Sequence, residues 1–123
     1  MAVRELRGRP EALAHFPDLG QYRWLELHDQ GGAYGHCAIG EREDMLELHI
    51  TLSRWGTVVR RGLEGDVAWL REEARRLGKA RVMGIRADDK GGFDARLFKF
   101  ARMFGFTEMC VFQTATLHVD KEV

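Results

Sequence analysis

Apolar and polar residues alternate most cleanly between Met45 and Leu52. Leu46, Leu48, Ile50 and Leu52 share one face of an extended chain, while Glu47, His49 and Thr51 share the other. This period of two predicts a half-buried strand, broken at Ser53-Arg54-Trp55-Gly56. Beyond the break Val67, Trp69, Leu70, Ala74 and Leu77 recur at helical spacing, and Gly78 is placed to end that helix. Upstream, Leu25 and Leu27 share one face and Trp24, Glu26 and His28 the other, in a strand over 22–28. Asp29-Gln30-Gly31-Gly32 then reads as a turn, and Tyr34 to Gly40 as the returning strand. A charged turn, Glu41 to Asp44, completes an antiparallel meander.

Downstream, Ala80 to Ala87 with Val82, Met83 and Ile85 reads as a buried strand. It is reached through a helix, so it should run parallel to Met45–Leu52. After the loop Asp88 to Gly92, Phe93, Leu97, Phe100, Ala101 and Phe104 mark a second amphipathic helix, stopped at Gly105 and packed by its phenylalanines. Phe106 to Val119 is β-rich, as one bent strand or a tight pair. At the other end, Pro10, Ala12, Leu13 and Phe16 predict a short helix within Arg9–Asp18, closed by Pro17 and Gly20. Arg4 to Arg9 is frayed or an edge segment. The expectation is one α/β domain with a mixed, mostly antiparallel central sheet flanked by helices: residues 1–20 as N-terminal helix and turn, 21–119 as core.

Charge narrows the partners. Lysines and arginines number 19 and acids 19, so the formal net charge is zero and no global field draws the chain to nucleic acid or a membrane. A neutral chain also gains solubility by associating, and Phe112, Thr114 and Thr116 on an end strand offer an edge for a homodimer. No stretch is long and apolar enough to span a bilayer. The N-terminal stretch Met1 to Arg7 lacks the pattern of a secretory signal. Cys37 and Cys110 lie far apart and form no CxxC pattern, which reads as two buried thiols in a reducing, cytoplasmic setting. His28, His36, Cys37 and His49 fall on adjacent strands, but no pair has a local ligand spacing, so no metal site is expected. Arg60, Arg61, Arg71, Arg75, Arg76, Lys79 and Arg81 interleave with acids, which suits a solvated helix face. Arg60 or Arg61 facing a nucleotide's phosphates is the sharper alternative.

The site chemistry centres on the break after Leu52. A strand that feeds a helix through a basic, glycine-containing loop aims free N–H groups and a positive dipole end at one spot, which suits a phosphate. Glu47 and His49 lie side by side on the same strand, and either becomes a base if partly buried.

Over about residues 20–119 the chain resembles the GCN5-related N-acetyltransferase superfamily. The alternating strand with its basic glycine loop and helix, the following strand, loop and helix, and the ending Phe100-Ala101-Arg102-Met103-Phe104-Gly105-Phe106 carry the likeness. Trp55 to Trp69 also looks like small acetyltransferase-like proteins of bacteriophages and prophages. The resemblance implies acetyl-CoA as cofactor and a small-molecule or peptide amine as acceptor. The strands matching Met45–Leu52 and Arg81–Ala87 would splay into a wedge. The backbone of Ile50, Thr51 and Leu52 would pair with the pantetheine arm. The loop and helix start (Arg54, Trp55, Gly56, Thr57, Arg60, Arg61, Gly62 and Gly65) would hold the pyrophosphate, and Asp94 would cap the second helix. Glu47 or His49 would accept the amine's proton.

The loop departs from the family pattern, and two registers are open. In one Arg60 leads, Leu63 replaces the first glycine and Gly65 fits the second. In the other Trp55 leads, Val58 replaces that glycine, Thr57 caps the helix, and Gly62 and Gly65 lie inside it. Many members carry a tyrosine on the last helix as general acid, and Ala101 holds that position here. A catalytically inactive interaction or phage-associated protein of the same fold is the alternative reading.

Overall fold

The computed structural model describes residues 3–85, 95–110 and 115–119. The elements run β1 (Val3–Leu6), a 3-10 turn (Glu11–Leu13), β2 (Arg23–Asp29), β3 (Gly32–Glu41), β4 (Met45–Leu52), α1 (Thr57–Arg76), β5 (Arg81–Gly84) and α2 (Ala95–Met103). Among the described residues five strands lie in chain order across one sheet. Antiparallel pairing from β1 to β4 gives way to a parallel β4–β5 step, as expected for a strand reached through a helix. Thus the expected mixed α/β sheet is present.

The two faces of the meander are both used. Leu25, Leu27, Leu46 and Leu48 meet Val59, Leu63, Leu70 and Ala74 of α1 in the main core, joined by Phe104 from beyond α2. On the opposite face Leu13, Trp24 and Ala38 form a smaller cluster with Leu6, Phe16 and Tyr22 packed against it. A buried leucine contributes about 1.5–3 kcal/mol relative to exposure, so Leu46 and Leu48 anchor β4 against α1.

Both helix ends follow from their glycines. Gly78 has φ +72°, and the amides of Gly78 and Lys79 bond back to Arg75 and Ala74. Gly105 has φ +88°, and the amides of Gly105 and Phe106 bond back to Arg102 and Ala101. Each is a Schellman closure, in which a left-handed residue lets two amides satisfy the last carbonyls. The Phe100–Phe106 ending is therefore a helix stop whose aromatic residues return to the core.

Four expectations are corrected. The helix within Arg9–Asp18 shrinks to a single 3-10 turn, because Pro17 and the φ +86° of Gly20 leave too few residues to repay helix nucleation. Arg4 to Leu6 takes the edge-segment alternative, as strand β1, and it is the division of residues 1–20 into helix and turn that changes. The tail forms no strand over 106–110 or 115–119, and Thr116 lies in that irregular part. Past the Gly105 stop, Glu108 takes φ +44°, which breaks an extended run. Phe112 and Thr114 lie outside the described residues, as does the Asp88–Gly92 loop. Finally, Cys37 is buried but Cys110 is exposed, for it sits on that tail.

Candidate active site

The parallel pairing of β4 with β5 runs from Met45↔Arg81 to Leu48↔Gly84. One further bond follows, from the Ile85 amide to the Leu48 carbonyl at 2.9 Å. Backbone groups alternate between the two edges of a strand, so Leu48, Ile50 and Leu52 point toward β5, and His49 and Thr51 toward β3. Among the described residues, the amides and carbonyls of Ile50 and Leu52 therefore face an edge where no strand pairs. Such an edge accepts an extended chain that carries amide groups.

At the end of this edge the chain turns at Gly56, with φ +144° and ψ −179°, a conformation reserved for glycine. Helix α1 opens directly after it, as the register led by Trp55 expects. Arg60 makes the first helical bond, to the Gly56 carbonyl at 2.9 Å, so the amides from Gly56 to Val59 have no intrahelical partner. No side chain caps this end and its first turn carries no acid. Thr57 is the first helical residue rather than the cap, and Val58 is 64% exposed. These free amides and the positive end of a twenty-residue helix suit an anion.

The remaining loop residues divide by partner. Arg54 is drawn away to the β2–β3 turn, where its Nη2 donates to Asp29 Oδ1 at 2.5 Å and to the Gly32 carbonyl at 3.1 Å. Arg60 and Arg61 stand exposed on the first turns of α1. Trp55 is half exposed and rests on Phe100 of α2, with ring centroids 5.6 Å apart, so loop and helix meet at the mouth. Gly62 serves packing: a Cβ there would lie 2.7 Å from the Tyr34 hydroxyl. Gly65 has open space around it. Asp94 lies outside the described residues.

Glu47 and His49 project to the face that carries the 3-10 turn. Glu47 is only 3% exposed. Its Oε1 accepts from Arg42 Nε and Nη2, each at 2.7 Å. Its Oε2 accepts from the Tyr22 hydroxyl at 2.8 Å and pairs with His49 Nε2 at 2.5 Å. Burial pushes the Glu47 carboxyl up, but the bonds from His49, Tyr22 and Arg42 outweigh it and hold the group below the usual carboxylate range. Burial and the bond to Glu47 raise the Tyr22 phenol, so it stays a donor. The His49 ring lies 4.7 Å from Phe16 and edge-on to Tyr22 at 5.8 Å. Tyr22, Arg42 and Phe16 carry no sequence motif. A signal was nevertheless present in Gly40, which faces Glu47 across the sheet: a Cβ there would meet the Tyr22 ring at 3.2 Å. Among the described residues no three metal-ligating side chains converge.

Among the described residues the parallel pair ends halfway along β4, and a bare helix end stands at the head of the free edge. The fold is that of the GCN5-related N-acetyltransferases. An aminoglycoside N-acetyltransferase, AAC(6')-Iy, in complex with CoA aligns with a TM-score of 0.59 at 15% identity, covering 94% of this chain and 99% of that one. An aminoglycoside acetyltransferase from an uncultured soil metagenomic sample, in complex with sisomicin, aligns with a TM-score of 0.58 at 16% identity, over 88% and 74%. Glucosamine-6-phosphate N-acetyltransferase from Arabidopsis thaliana aligns with a TM-score of 0.52 at 10% identity, over 80% and 68%. No protein-family model matches the sequence, and no curated protein does. No helix of the described residues is long and apolar enough to cross a membrane.

Proposed function

We propose that this protein is an acetyl-CoA-dependent N-acetyltransferase acting on an amine acceptor. The observation that carries the reading is the edge of β4 at Ile50 and Leu52, unpaired among the described residues, leading to the uncapped amides of Gly56 to Val59. The edge fits the amide-bearing pantetheine arm, the helix mouth fits the pyrophosphate, and Arg60 and Arg61 are exposed beside it. Bound there, acetyl-CoA supplies an activated acyl group on a thioester. The chain's own part is to align that thioester along β4, to bring an amine against it from the face of His49, and to take up the proton the amine releases. Proximity provides much of the rate. Ala101 offers no proton to the leaving thiolate, which leaves that step to water.

Thermal unfolding with and without acetyl-CoA tests the reading. A ligand at a hundred times its dissociation constant stabilises the folded state by about 2.7 kcal/mol. Stabilisation by acetyl-CoA, weakened by Arg60→Ala but untouched by Arg54→Ala, is the expected result. No shift at millimolar acetyl-CoA overturns it. The chain would then stand as a non-catalytic relative of the fold, the reading favoured by Ala101 and by the side chain of Val58 at the helix mouth.

A further inference from the structure

The donor count around Glu47 separates the roles of two neighbours that the sequence leaves interchangeable. A carboxylate has about four lone-pair positions. Here four donor atoms occupy them: Arg42 Nε and Nη2, the Tyr22 hydroxyl and His49 Nε2. With the residue 3% exposed, no position is left for a substrate proton. An ionised carboxylate accepts only, so the bond at 2.5 Å requires that His49 Nε2 carries the hydrogen. In the neutral imidazole Nδ1 then holds the free lone pair. His49 is also the first residue of β4 beyond the last β5-paired position, Leu48. Its side chain retains 12% exposure, against 4% for Glu47.

We propose, on the transferase reading above, that His49 Nδ1 accepts the acceptor's proton and that Glu47, clamped by Tyr22 and Arg42, positions His49 rather than acting as the base. The amine nitrogen forms a bond to the thioester carbonyl carbon as the carbon–sulfur bond breaks. The sulfur takes the electron pair, the nitrogen's proton passes to His49 Nδ1, and that proton returns to the thiolate through water. The products are an N-acetylated amine and a free thiol. The pair resembles a hydrolase dyad in logic: a buried acid fixes the tautomer of a histidine, and the histidine does the proton transfer. Tyr22 and Arg42 are positioning residues with no expected contact to substrate.

Among the described residues, few titratable groups stand close to His49. Glu47 lies on its own strand, Tyr22 stands ahead of β2, and Arg42 reaches it from the β3–β4 turn through Glu47. His15 stacks beside Phe16 at 4.7 Å, and β3 presents only Ala38 directly opposite.

Two measurements test the proposal. Imidazole nitrogen NMR on the free protein, at a pH where the ring is neutral, should show the His49 hydrogen on Nε2; a neutral ring that carries it on Nδ1 overturns the proposal. Thiol release from acetyl-CoA should then be followed with tyramine, putrescine and glucosamine as primary-amine probes. His49→Ala should lower kcat about a hundredfold or more, keep the thermal stabilisation by acetyl-CoA, and recover in part with added imidazole. Tyr22→Phe should lower kcat about threefold to tenfold at unchanged KM for acetyl-CoA, because it loosens Glu47 alone. Glu47→Gln should retain more activity than His49→Ala. The opposite ranking, with Glu47→Gln inactive and His49→Ala near normal, makes Glu47 the base and overturns the assignment. Stabilisation by acetyl-CoA with normal turnover in His49→Ala sinks this role while leaving the transferase reading standing. No thiol release by the unmodified protein, together with no stabilisation, sinks both.

Discussion

The Ile85 amide donates to the Leu48 carbonyl at 2.9 Å, the last rung that joins β5 to β4 among the described residues. The edge proposed for the pantetheine arm lies just past that rung. The strand continues for four residues, from His49 to Leu52, still paired with β3 on one side.

The free edge yields a paired proline experiment. The Ile50 amide points toward β5 and the Thr51 amide into the β3 ladder, by the alternation that Leu48 sets. Ile50→Pro should therefore keep the fold and abolish stabilisation by acetyl-CoA. Thr51→Pro loses a ladder bond at an interior pairing and should cost about 3 kcal/mol or more, a value borrowed from proline in helix interiors. Urea unfolding of both variants, with and without acetyl-CoA, checks the contrast. Equal destabilisation by the two would refute the assignment of edges.

The two glycines inside α1 should respond with opposite signs. Gly65 is exposed, and a Cβ added there would meet nothing within 4 Å, so Gly65→Ala should stabilise by about 0.5–1 kcal/mol through helix propensity. Gly62→Ala places a methyl 2.7 Å from the Tyr34 hydroxyl and should cost about 1–3 kcal/mol despite the same propensity gain. Chemical denaturation of each variant decides it.

Asp66 makes stability fall as pH rises. It is 2% exposed in the main core and accepts from the Tyr34 hydroxyl, while its Oδ1 has no hydrogen-bond partner. Burial raises its pKa above 3.8, only partly offset by Tyr34. The folded state then binds the proton more tightly than the unfolded chain, so its contribution is full below pH 3.8 and is lost as pH climbs through the higher folded value. Asp66→Asn should flatten this loss. Urea midpoints taken at intervals upward from pH 4 would show it, and an unchanged slope would count against a raised Asp66.

Glu73 acts in the other direction. It bonds Arg76 on its own helix and Arg23 of β2 at 2.6 Å, and the Arg76 bond, with Arg23 assisting against burial, lowers its carboxyl from 4.5 to about 2. Its contribution is complete above pH 4.5 and disappears as pH falls toward 2. Glu73→Gln should cost about 1–3 kcal/mol at pH 7, with the deficit shrinking on acidification through that window. A deficit independent of pH would mean the carboxylate's charge is not what holds the pair.

Much of the architecture could be read from periodicity. The meander, the parallel fifth strand and both amphipathic helices follow from spacings of two and of three to four residues, and the helix stops from Gly78 and Gly105. Glu47 and His49 were visible as neighbours on one strand face. Their partners were not: Tyr22 and Arg42 lie 25 and 5 residues from Glu47, and only the fold brings them to its two oxygens. The same holds for Arg54, which local sequence assigns to a phosphate and the structure assigns to Asp29.

Taken alone, the order of residues dictates which segments extend, which coil and where they stop, because those outcomes depend on neighbours a few positions apart. It also sets two open registers for the loop after Leu52. The opening of α1 at Thr57 and the four donor atoms gathered on Glu47 belong to the tertiary structure. Each depends on contacts between residues distant in the chain, such as Gly62 against Tyr34, and local pattern carries no record of such distances.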